Sequence, residues 1–132
     1  MASEKLCKSH LIRGGSPPES VQSTHGYIRK TLPIILERLL DASGTRSPKY
    51  RNILTCFRHL AIEIELLSPA MRRDGRRPDN CEYPWEADGR VVSPLDWTFH
   101  PLLLLQAPAG VLFIKLLREA ITHSLAVTRQ EP

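Results

Sequence analysis

Two Cys-x-x-His pairs, Cys7/His10 and Cys56/His59, have a spacing that lets a helix or turn present a thiolate and an imidazole to one metal ion. Four such ligands would close a structural Zn²⁺ site. Neither pair has the flanking glycines of a zinc knuckle, and Cys7/His10 falls in a polar leader. On a helix, Cys56 lies at the edge of the apolar face while His59 points mainly to solvent. A small buried thiol and an exposed imidazole account for both pairs, so neither a metal nor a cofactor is expected.

The densest charge cluster is RRDGRR, with Arg72, Arg73, Arg76 and Arg77. It has the chemistry to grip phosphates, an acidic peptide or a nuclear import receptor. No aromatic platform for base stacking is interleaved with it, and such clusters are usually solvated loop. The stretch LERLL (Leu36, Leu39, Leu40) resembles the LxxLL helix that docks on nuclear-receptor grooves, but the same leucines form the expected inner stripe of a helix. Ser-Pro occurs at Ser16, Ser47, Ser68 and Ser93. Three of these sit where helix caps or stops are expected, leaving Ser16 as an accessible target for proline-directed phosphorylation. His100 and His123 are the candidate acid/base groups, and Cys81, Asp79, Glu82 and Asp88 could converge with them. Nothing in their spacing says that they do. A glycine-rich phosphate loop, a nucleophile elbow and a paired-carboxylate motif are all missing, and the chain reads more as a binding module than as an enzyme.

The elements that position these groups follow from patterning. With 132 residues, 42% hydrophobic and 24% charged, the chain has the composition of one ordinary globular domain. Aromatics are only 6%, so Leu and Ile carry the apolar content and favour helices. The net charge of +4 rests on thirteen Arg against five Lys, enough to keep a small domain soluble without implying nucleic acid. Three widely spaced cysteines do not make a disulfide framework, and the start lacks the apolar stretch of a secretory signal. A cytoplasmic or nuclear location is expected.

Residues 1–24 hold few large apolar groups and include GGSPPES, so they read as a flexible arm, with a single helical domain over 25–130. The first helix carries Ile28, Leu32, Ile35 and Leu39 on one stripe and should begin near Pro33. The second opens with Ser47 as cap and Pro48 at the first position, and runs to Leu67 with almost error-free i, i+3, i+4, i+7 spacing. Around residues 82–92, Asp88–Gly89 between β-formers predicts a hairpin through a type I′ turn, which must lean on the helices. SPLDW predicts a short helix from Ser93, interrupted near Pro101. A turn at APAG then leads to a long helix from about Val111 to Thr128. The expected architecture is mainly α: a small bundle of three to four helices with a β-hairpin insertion.

The apolar run 99–117 is broken by Pro101, Gln106, Pro108 and Lys115, too short and too interrupted for a membrane span. Wound at ~100° per residue, the last helix has an apolar arc near 180°, wider than one core-facing side requires. Such a helix is either wedged between neighbours or shared with another chain. With only three or four helices to cover it, the leftover surface reads as a docking patch: Leu102, Leu103, Leu104, Leu105, Phe113, Ile114, Leu117, Ile121 and Leu125. The expected role is an adaptor that self-associates or docks on a larger protein, with the Arg72–Arg77 loop as an anion or partner contact. Two alternatives stand beside it: a small enzyme using His100 or His123 in a pocket lined by the last helix, and polyanion binding through the arginine loop.

Overall fold

The computed structural model describes residues 2–23, 26–44, 48–68, 79–80 and 82–128. Its elements are α1 (Ala2–Arg13), α2 (Pro18–Gln22), α3 (Ile28–Ala42), α4 (Tyr50–Leu66), β1 (Trp85–Ala87), β2 (Arg90–Val92), α5 (His100–Gln106) and α6 (Pro108–Thr128). The fold is mainly helical with one small antiparallel hairpin, as the patterning predicts. The described residues form six helices rather than three or four.

Helices α3, α4 and α6 pack on one another to form the centre. Helix α1 lies across α3 and α6, while α5 lies across α4 and α6. Phe57 of α4 meets Phe113 of α6 edge to face, with ring centroids 5.6 Å apart and both side chains fully enclosed. Leu32, Leu36, Leu40 and Leu60 fill the remaining centre. Leu36 and Leu40 of LERLL are therefore core, and Leu39 packs against it half-buried.

The N-terminal arm is the main correction. Residues 2–13 form a helix whose Leu6 and Cys7 belong to the core, and Val21 of α2 is buried as well. GGSPPES is a stop-and-restart signal rather than a tether. Ser16 N–H donates to the Leu11 carbonyl and Gly15 N–H to the Ile12 carbonyl, the paired bonds of a Schellman cap. Gly15 sits at φ 90°, where a side chain would be strained. Pro17 and Pro18 then open α2, with Pro18 at a position where a missing N–H costs nothing.

Helix α3 begins at Ile28, five residues before Pro33, not at the proline. Pro33 removes one intrahelical donor, and a remote partner steadies the start. Glu65 of α4, only 2% exposed, accepts the Arg29 N–H at 3.0 Å and pairs with its guanidinium at 3.3 Å. A carboxylate at a helix N-terminus satisfies an orphan donor and opposes the helix dipole. Helix α4 begins at Tyr50, two residues past Pro48, with Lys49 in the cap position; Ser47 lies outside the described residues.

The hairpin has the expected turn. Asp88 and Gly89 both have positive φ, 51° and 70°, and Ala87 pairs with Arg90 across them. Its aromatic partners come from the segment that follows it. Trp85 packs against Trp97 and Phe99 of the segment that follows, at 5.7 and 6.1 Å between centroids. Reaching Trp85 keeps that segment out of the helix that SPLDW suggested. Ser93 instead closes a turn, accepting the Leu95 N–H on Oγ and the Asp96 N–H on its carbonyl. Pro101 lies in the first turn of α5 rather than interrupting a helix.

Helices α5 and α6 are separated by Ala107 alone and bend by 94°. Proline at the start of α6 suits a first helical position, so the helix begins at Pro108 and not at Val111. Among the described residues, no single helix is long and apolar enough to cross a membrane; the bent α5–α6 pair passes by length and composition only together.

Candidate functional site

The wide apolar arc of α6 is wedged between neighbours. Helices α1, α3, α4 and α5 all pack against it, which buries Phe113, Leu116 and Ala120. Of the nine residues expected to form one docking surface, Phe113 is fully enclosed. Leu104, Leu105, Ile114, Leu117 and Ile121 are half-buried against the core. Leu102, Leu103 and Leu125 remain exposed. Leu102 and Leu103 lie on α5, whereas Leu125 lies near the far end of α6. Helix α1 adds cover on one flank of α6, beside that given by α3, α4 and α5.

The uncovered apolar groups concentrate elsewhere. Among the described residues, Tyr83, Val91, Leu95, Trp97, Leu102, Leu103 and Val111, seven of the eleven exposed large hydrophobics, fall between residues 83 and 111. They belong to the hairpin, the segment after it, α5 and the first turn of α6. Leu95 is 94% exposed and Val91 81%. Backbone turns hold this region in place: the Asn80 side chain accepts the Glu82 and Tyr83 N–H groups before β1. The sequence named Leu102 and Leu103 but missed Val91, Leu95, Trp97 and Val111. Alternation along β2 would have placed Val91 outward.

The polar candidates separate into two places. His100, at the start of α5, lies with His59 and Glu63 of α4. His59 Nε2 is 3.9 Å from one Glu63 oxygen and His100 Nδ1 is 3.6 Å from the other. This trio ties α5 to α4 by charge when the imidazoles are protonated. His123 lies instead on a cleft between α1, α3 and α6, opposite His10. Among the described residues, no three His, Cys, Asp or Glu side chains are placed to hold a metal ion, and the two Cys-x-x-His pairs do not converge on one. Arg72, Arg73, Arg76, Arg77 and Cys81 lie outside the described residues.

Cys7 is fully buried, and its thiol is pushed up to about 12 by burial and then by the charges of Glu65 and Glu4. Cys56 is half-buried and raised by burial alone. At pH 8, a thiol reagent is expected to modify Cys56 and spare Cys7 until the chain unfolds, as peptide mass mapping would show. Linkage adds a sign. The folded state holds the Cys7 proton more tightly than the unfolded state, so this contribution is intact below pH 9 and lost as pH rises from 9 towards about 12. A Cys7→Ala variant should lose less stability than the parent over that interval in urea titrations.

No family model matches the sequence, and no curated protein or solved structure matches it.

Proposed function

We propose that the protein is an intracellular interaction module that self-associates through the hairpin–α5 face. The supporting observation is the concentration of uncovered apolar groups there, chiefly Leu95, Trp97, Leu102, Leu103 and Val111. Large apolar side chains left exposed in number within one segment mark an association site. Residues 97–114 contain no Asp, Glu, Lys or Arg. Depletion of charge marks the centre of interfaces, and homodimer interfaces are the most apolar. An uncharged aliphatic surface has no charge pattern to match and is complementary to a copy of itself, which a two-fold pairing uses.

Light scattering across a concentration series tests this. The mass should rise from 15.0 kDa towards twice that value. Leu103→Glu should hold it at the monomer value with little change in melting temperature, because Leu103 is 59% exposed. Leu125→Glu, at the other end of α6, should leave pairing intact. A mass that stays monomeric to ~1 mM, where even a weak Kd of that order is half-populated, removes the proposal.

A further inference from the structure

Helices α1, α3 and α6 enclose a cleft that has an aliphatic trench at one end and a basic mouth at the other. The trench holds about 230 Å³ and is floored by Leu6, Ile35, Leu39 and Ala120. His10, Arg13, Arg38 and His123 stand round it. His10, Arg13 and Arg38 also line the adjoining depression, together with the backbone turn at Gly14 and Ser16. The two depressions are thus halves of one feature that share these three basic residues. Among the described residues, no Asp or Glu lines either half.

We propose that this cleft binds an amphipathic anion: an unbranched aliphatic carboxylate whose chain lies in the trench and whose head group meets Arg13 and Arg38. An apolar pocket with a few convergent polar groups is the usual form of a small-molecule site, and a planar guanidinium matches a carboxylate in two hydrogen bonds. A trench of about 230 Å³ suits a medium-length aliphatic chain, of which octanoate is a soluble example. Arg13 is already laid across the cleft: its guanidinium donates to the Ser124 carbonyl of α6 at 3.5 Å. Arg38 is exposed and lies near His10. Burial, and then the Arg38 charge, lower the basicity of His10. Near neutral pH the mouth therefore owes its charge to the two arginines, while His10 remains able to donate one neutral hydrogen bond.

The site lies near the C-terminal half of α6, away from the hairpin–α5 face, so it stands or falls independently of self-association. The test is a titration of the full chain with octanoate, 1-octanol and acetate, followed by amide chemical shifts. Octanoate should bind saturably, with shifts confined to α1, α3 and α6. Octanol, which lacks the charge, and acetate, which lacks the chain, should each bind at least tenfold more weakly. Arg38→Ala should weaken octanoate about tenfold without moving octanol or the melting temperature, since the side chain is exposed. Ser124→Leu, which fills the trench wall, should weaken octanoate and octanol alike. Equal binding of octanoate and octanol, shifts centred elsewhere, or no saturable octanoate binding would each overturn the assignment.

Discussion

Replacing Gly110 by alanine is expected to destabilise the protein by about 3 kcal/mol or more, at the upper end of what overpacking a core does. A Cβ built at this position would stand 2.2 Å from the Leu104 carbonyl oxygen and 2.5 Å from the Leu105 Cα. Both obstacles are backbone atoms, so no rotamer change relieves the clash. Helix propensity argues the other way, since alanine is favoured over glycine in a helix by about 1 kcal/mol. The sign of the measured effect therefore decides which influence dominates, and the geometry says that the clash does. The 94° bend between α5 and α6 brings the two backbones together at Gly110, and relief requires that bend to open. For a chain of this size the melting temperature should fall by roughly 10 °C, read by circular dichroism at 222 nm. Gly89→Ala, by contrast, meets open space and should act only through its left-handed backbone.

Deleting residues 1–22 is expected to have a still larger effect. An unstructured arm could be removed with no change in the unfolding midpoint. Here the deletion strips Leu6, Cys7 and Val21 from the interior and returns the covered faces of α3 and α6 to water. At about 1.5–3 kcal/mol for each fully buried aliphatic side chain, the loss exceeds ~4 kcal/mol. A domain of this kind has a total of about 5–15 kcal/mol, so the truncated chain should be marginal or unfolded. Urea denaturation would show a midpoint near zero, and a dye for exposed apolar surface should fluoresce strongly with the truncated chain. An unchanged midpoint would show that α1 contributes nothing to the interior.

These two experiments bear on where the amino-acid pattern was legible. The second helix announced itself through Tyr50, Ile53, Leu54, Phe57, Leu60, Ala61 and Ile64, because one face of a 3.6-residue period can be read without knowing its partner. The hairpin was equally local: Asp88–Gly89 demands two left-handed residues, and both have positive φ. Composition hides the N-terminal helices, because GGSPPES has the make-up of a flexible linker. Its order, glycine at the end of one helix and proline at the start of the next, is the local signal for a cap. The start of α3 had no local signal, since its stabilising partner Glu65 lies 36 residues away in sequence.

The expected docking patch rests on the number of helices available to cover α6. With only three or four helices expected, the wide apolar arc of α6 has too few neighbours to cover it, and the sequence alone does not show that α1 packs on α6 as well. Periodicity and turn chemistry depend on neighbours a few residues apart, so the chain by itself determined its mainly helical class, its strongest helix and its turn. Which apolar faces stay wet, that His100 lies against Glu63, and that His123 shares a cleft with His10 depend on segments up to about a hundred residues apart. Only tertiary packing decided those, because burial of a helix face is a property of the pair that meets and not of either helix alone.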